Sequence, residues 1–335
     1  MTKQLSLFGD EPEPVSPSDT RKARLDPAPP QPQVVELGRV LPEGVYLGTS
    51  SWTFPGWEGL IYQGSVTKPR LSKQGLAAYA RYPVFGTVGV DRTYYAPVGE
   101  DLYREWAEAV PDTFKFLVKA HDWCTLPTFP DHARHGARRG KPNDFFLDTE
   151  YAIETMLLPM LEGLGDKAGP LVFQFSPLRL GTAARRGKFI EMLHRFLSAL
   201  PTAGIIAIEI RNRELLCDEY ASALSDTGAS HCFNIHTSMP GIAEQLDIVG
   251  NQPCTVVRWM LGHGQRYQDA VERYQPFDRL VDEDPTSRKA VAAMVRESVA
   301  RQIPAFVTVN NKAEGSSPQS IIKLAEEVTR PTDSE

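Results

Sequence analysis

An acid and a base, Glu209 and Arg211, stand two residues apart at the end of a run reading Ile-Ile-Ala-Ile-Glu-Ile-Arg from 205 to 211. An extended chain alternates faces. Ile206, Ile208 and Ile210 therefore point one way, and Ala207, Glu209 and Arg211 the other. A carboxylate on that second face can move a proton, and a guanidinium can grip an oxyanion through paired N–H groups. Other apolar runs end in polar groups too: Trp52 after 45–50, Asp91, Tyr94 and Tyr95 after 84–90, and Lys119 and His121 around the end of 114–120. Gln174 lies in 171–175, His236 follows 231–235, Arg258 lies in 255–259 and Asn310 follows 305–309.

Brought to one place, these side chains hold three fixed cations (Lys119, Arg211, Arg258) against two acids (Asp91, Glu209). That balance suits a small or nucleotide-like anionic ligand, a phosphate or a carboxylate. Glu209 is the expected general acid or base, with Asp91 beside it; Lys119 is expected as an electrostatic clamp or, once desolvated, an amine nucleophile. Trp52, Tyr94 and Tyr95 offer faces to a ring-shaped ligand, and His121, Gln174, His236 and Asn310 offer hydrogen bonds. Asp91, His121, Glu209 and His236 are compatible with a divalent metal, but nothing in their spacing demands one and no metal site is expected. The cofactor is unknown: there is no P-loop, dinucleotide glycine fingerprint, nucleophile elbow or HExxH.

Convergence requires a frame. Helical patterns over 71–81, 100–110, 149–164, 185–200, 214–226, 286–302 and 318–328 separate eight apolar strands, the sixth and seventh being the one pair with no clear long helix between them. Such alternation over roughly 290 residues predicts an α/β fold, a single TIM-type (β/α)8 barrel whose strand ends meet at one rim. Pro159 is expected to kink its helix. Residues 126–148 form a polar insertion made basic by His132, Arg134, His135, Arg138, Arg139 and Lys141, read first as a solvated loop and otherwise as an anion or nucleic-acid lid.

The domain division is a leader, 1–36, and a barrel, 37–330. The leader is rich in proline and charge and reads as a disordered Pro-rich arm. Its island Gln4-Leu5-Ser6-Leu7-Phe8 resembles the peptide by which bacterial replication and repair proteins hook onto the DNA sliding clamp. Gln4, Leu5, Leu7 and Phe8 would bind the partner, Leu7 and Phe8 filling an apolar pocket and Gln4 hydrogen-bonding at its edge. A net charge of −6 excludes broad, nonspecific nucleic-acid binding but allows a local basic site. The four cysteines lack ligand spacing, and neither an 18-residue apolar stretch nor a signal peptide is present, so a cytoplasmic protein with no membrane partner is expected.

Gly48-Thr49-Ser50-Ser51-Trp52, Thr93-Tyr94-Tyr95, Phe116-Leu117-Val118-Lys119, Phe173-Gln174-Phe175, Glu209-Ile210-Arg211 and Asn310-Asn311 occur in the order of the YecE-like family, domain of unknown function 72. The chain resembles that family over about 44–328. The resemblance implies a TIM-type barrel in a bacterial cytosolic protein and no particular reaction. The family's usual Val-Glu-(apolar)-Asn reads Val88-Gly89-Val90-Asp91, so a glutamate is replaced by Gly89 and Asp91 takes the asparagine position; Thr125 is followed by Leu126 where the family's histidine-rich ending lies. Three functions are compatible: an enzyme of the hydrolase or lyase class, a DNA repair or replication accessory protein tethered to the clamp, or a binding protein without turnover.

Overall fold

In a computed structural model, which describes residues 24–262 and 266–331, eight parallel strands close into a barrel in sequence order. They are β1 (Val45–Thr49), β2 (Thr87–Val90), β3 (Lys115–Lys119), β4 (Ala168–Gln174), β5 (Ile205–Glu209), β6 (Ser230–Ile235), β7 (Thr255–Trp259) and β8 (Ala305–Val309). The alternation read from the sequence holds. Ile206, Ile208 and Ile210 pack into the large core between strands and helices, whereas Ala207 joins Leu117, Val172, Cys232, Cys254, Val256 and Phe306 in a small core inside the cylinder. Burying the isoleucines outward is what turns Glu209 inward.

One irregularity tunes this phasing. Between the pairs Phe116↔Ala168 and Val118↔Leu171, β4 carries an extra residue at Gly169-Pro170. A Cβ on Gly169 would stand 2.5 Å from the Phe116 carbonyl oxygen, so only glycine fits this bulge. Beyond it Leu171 and Phe173 face the helices and Val172 faces inward.

Several elements differ from expectation. Residues 24–36 are no disordered arm: Leu25 and Ala28 are buried, Ala28 N–H donates to the Ile61 carbonyl at 2.8 Å, and Pro32–Val40 is a helix against the last helix, Ser317–Thr329. Gly38 lets that helix reach Pro83, whose carbonyl oxygen leaves no room for a Cβ. Composition had hidden four apolar anchors (Leu25, Ala28, Val34, Leu37) among prolines. Gln4, Leu5, Leu7 and Phe8 lie outside the described residues. The Pro159 distortion falls one turn early, as a π-helical stretch Ile153–Leu157. A short helix, Ile242–Val249, bridges β6 and β7, and β7–β8 has an unanticipated helix, Tyr267–Tyr274. No described helix is long and apolar enough to cross a membrane.

The seam between β1 and β2 pairs at only Gly48↔Thr87 and Thr49↔Val88. Tyr79 closes it: its hydroxyl accepts from Thr49 N–H at 2.8 Å and donates to the Thr87 carbonyl at 3.2 Å. Tyr79→Phe would leave both buried backbone groups with a lost partner, and is expected to cost about 1–3 kcal/mol. An unchanged denaturant midpoint would show that the hydroxyl does not close the seam.

Candidate functional site

The C-terminal mouth of the barrel holds a chain of alternating charges. Glu209, at the end of β5, is fully buried. It accepts from Arg211 Nη2 through one oxygen and from Arg258 Nη1 through the other. Arg258, inside β7, is itself buried and donates through Nη2 to Asp91 Oδ1 at 3.0 Å. The series Arg211–Glu209–Arg258–Asp91 thus ties the ends of β5, β7 and β2 across the mouth. Burial alone would raise the Glu209 pKa; the charges of Arg211, Arg258 and Lys119 outweigh it and bring the carboxyl down to about 2. The same acids push Arg258 upward against its own burial.

Lys119 ends β3 and is only 8 % exposed. Its Nζ sits 3.6 Å from the centroid of the Tyr94 ring. Burial lowers it to about 8, with the charges of Asp91 and Glu209 opposing the shift and those of Arg258 and Arg211 adding to it. Gln174 pairs in register with Glu209. His236 lies close enough to Arg211 and Glu209 to feel both charges, and its Nδ1 is 2.9 Å from Ser238 Oγ.

A second layer roofs this cluster, built from His121 and the basic insertion together with Asp122, Trp123 and Tyr151, which the sequence did not single out. Asp122, buried just past β3, pairs with Arg134 of the insertion at 2.5 Å. The Arg134 guanidinium lies 5.6 Å and 5.2 Å from the Tyr94 and Tyr95 ring centroids, and Arg138 lies 4.7 Å from that of Trp123. His121 Nδ1 meets the Tyr151 hydroxyl at 2.7 Å. The insertion is therefore fastened to the rim rather than solvated along its length. The signal available beforehand was Asp122-Trp123 directly after a strand end, an acid and an aromatic on the approach to a basic segment.

Some expected members stand apart. Trp52 packs edge-on against Trp106 at 5.7 Å, in the layer outside the strands, where its large apolar ring has company. Tyr95 meets Tyr94 in a T-shaped contact and is 65 % exposed. Asn310 accepts from the Lys312 N–H and lines a neighbouring cavity of about 520 Å³ with Ser50, Phe54 and Trp57. At Gly89 an added Cβ would stand 3.0 Å from Ser50 Cα, so a glutamate there would require the Ser50 backbone, just past β1, to give by a few tenths of an ångström. Among the described residues no group of three His, Cys, Asp or Glu side chains is placed to hold a metal ion.

A closed eight-stranded parallel barrel with its polar groups gathered at the carboxyl ends of the strands defines the (β/α)8 class. Within that class the chain belongs to the DUF72 family, proteins of unknown function, whose family model matches residues 46–334. It is similar in structure to a DUF72 family protein (TM1631) from Thermotoga maritima MSB8, with 19% identity, 85% of this chain and 99% of that chain covered, and a TM-score of 0.55. It is also similar to a DUF72 family protein (EF0366) from Enterococcus faecalis V583, with 16% identity, 86% and 97% covered, and a TM-score of 0.54. At these identities the likeness is one of fold. No curated protein matches the chain.

The buried histidines set an acid limit on the fold. His231 lies inside a network with the Tyr220 hydroxyl on Nδ1 and Gln245 Oε1 on Nε2, and burial lowers it to about 4. Burial likewise lowers His121 and His236 to about 4. A depressed histidine binds its proton more readily in the unfolded chain, so its contribution is complete above the ordinary value of 6.5 and is lost as pH falls toward 4. Glu209 acts in the same direction lower down, between 4.5 and about 2. Thermal melts should therefore show stability falling from pH 6.5 to 4, with His231 alone supplying up to about 1.4 kcal/mol per pH unit. A flat profile over that range would refute the assignment.

Proposed function

We propose that the mouth of this barrel is the binding site of a small or nucleotide-like anion, and that the protein is an enzyme of the lyase or hydrolase class acting on it. The observation that carries the reading is Arg211. Its guanidinium is more than nine-tenths buried, one nitrogen is spent on Glu209, and Nε and Nη1 have no hydrogen-bond partner among the described residues. Buried donors without acceptors are costly, and a carboxylate or phosphate is the group that satisfies them. The surrounding charge agrees: Lys119, Arg211 and Arg258 against Glu209 and Asp91 leave the cluster one positive charge in excess when Lys119 is protonated.

This reading reassigns Glu209. A carboxyl held near 2 with both oxygens engaged is a poor acid and a weak base, and its role is to hold two arginines in place. Lys119, near 8, is the group whose proton is available around neutral pH. Arg211→Lys keeps a cation beside Glu209 and deletes the unpartnered donors. Calorimetry with inorganic phosphate or pyruvate should show binding weakened about tenfold or more; equal affinity in both proteins would remove the site.

A second reading concerns residues 4–8. Gln4-Leu5-Ser6-Leu7-Phe8 matches the clamp-binding pattern in its glutamine, leucine and phenylalanine positions, which favours an accessory role in DNA metabolism through that peptide. Deleting residues 4–8 should abolish co-purification with the bacterial sliding clamp. Undiminished co-purification, or none by the full chain, would reject it.

A further inference from the structure

Lys119 is placed as a reactive amine rather than as one more clamp. Among the described residues its Nζ has no hydrogen-bond or ion-pair partner, and it rests on the face of Tyr94 at 3.6 Å from the ring centroid. Arg211, Arg258 and Glu209 are locked to one another, so the lysine is the mobile-proton member of an otherwise fixed cluster. A lysine that serves only as a structural counter-ion takes a carboxylate partner. This one rests on a ring, near unspent arginine donors, at the end of a barrel strand where ligands of this fold sit.

We propose that Lys119 is the nucleophile of a Schiff-base site whose substrate is a small aldehyde or ketone bearing a carboxylate or phosphate group. The proposal rests on the anion-binding reading of the mouth: Arg211 holds the oxyanion and thereby delivers the carbonyl to Nζ. The chemistry balances without a further reactant. The ammonium first gives up a proton, for which Asp91 is the available acceptor, a third exposed and tied to Arg258 through Oδ1. The free amine attacks the carbonyl carbon, a C–N bond forms as the C=O π bond opens onto oxygen, and one proton passes from the attacking nitrogen to that oxygen to give a neutral carbinolamine. That hydroxyl, protonated again by the proton lodged on Asp91, departs as water while the nitrogen lone pair closes the C=N bond. In sum, ammonium and carbonyl give a protonated imine and one water. The positive imine keeps the Tyr94 face as its support, as the ammonium did. Burial favours the first step, because a lysine near 8 carries roughly three hundredfold more free amine at neutral pH than an ordinary one.

The full chain is incubated with pyruvate or with dihydroxyacetone phosphate, reduced with sodium borohydride, digested and analysed by peptide mass spectrometry. The hydride reduces any imine carbon to a stable secondary amine. Adduct is expected on Lys119, in excess of any other lysine by about tenfold or more, from pyruvate if the site prefers carboxylates and from dihydroxyacetone phosphate if it prefers phosphates. Lys119→Arg keeps the charge and should abolish the adduct, and Arg211→Lys should slow its formation while leaving Lys119 in place. Phosphate or pyruvate binding by calorimetry without any Lys119 adduct overturns the Schiff base and leaves the anion site standing. Absence of both binding and adduct overturns the two together. Adduct spread evenly over surface lysines, or formed equally fast from dihydroxyacetone, which lacks the anion, also overturns the proposal.

Discussion

A single carboxylate governs the mouth of this barrel. Glu209 has no contact with solvent, and two guanidiniums converge on it, one from just beyond β5 and one from β7. Neither arginine is tolerable in that interior without it, and it is intolerable without them, since each buried charge loses its hydration. The result is a rigid frame. Arg258 is fixed with one edge on Glu209 and another on Asp91, and Arg211 is fixed with part of its donor set unspent. Everything proposed for the site follows from that division of labour: the frame takes both oxygens of Glu209 and one of Asp91, and leaves arginine donors unspent.

The same cavity acts oppositely on its two central ionisable groups. Burial penalises the charged form of either. For Glu209 the surrounding arginines override that penalty, whereas Lys119 has arginines as neighbours as well as acids, and the penalty prevails. A carboxyl that keeps its charge and an ammonium that holds its proton less tightly are thus two outcomes of one arrangement of charge. The sequence shows which residues meet, but the winner depends on distances that it does not contain, and for this reason the proposal moves the acid–base role expected of Glu209 to Lys119.

Much of the frame was readable beforehand because its code is local. The isoleucine alternation of 205–211 fixes a face, and polar residues closing successive apolar runs had to share a rim once the cylinder closed. What escaped was set by long-range packing. Asp122 and Arg134 are twelve positions apart and meet only because the insertion doubles back; Trp52 and Trp106 meet because the helical layer had room for a second indole. The segment 24–36 looked like the rest of a proline-rich leader, and only its sparse buried apolar residues distinguish it. His236 lies beside Arg211 and Glu209 with its Nδ1 taken up by Ser238, whereas Asn310 turns to a neighbouring cavity with its amide oxygen held by the Lys312 N–H.

The bulge at Gly169-Pro170 has a consequence for how this chain is compared with others. It inserts one residue into a strand whose two faces have opposite chemistry, so a relative that lacks it matches this chain on one side of the position and is out of step on the other. An ungapped alignment through β4 would equate Val172 with a residue facing the helices, and Gln174 with one that never sees the mouth. Inheritance in this strand is counted by facing, and a lineage that gained or lost that residue would have had to re-choose every side chain after it.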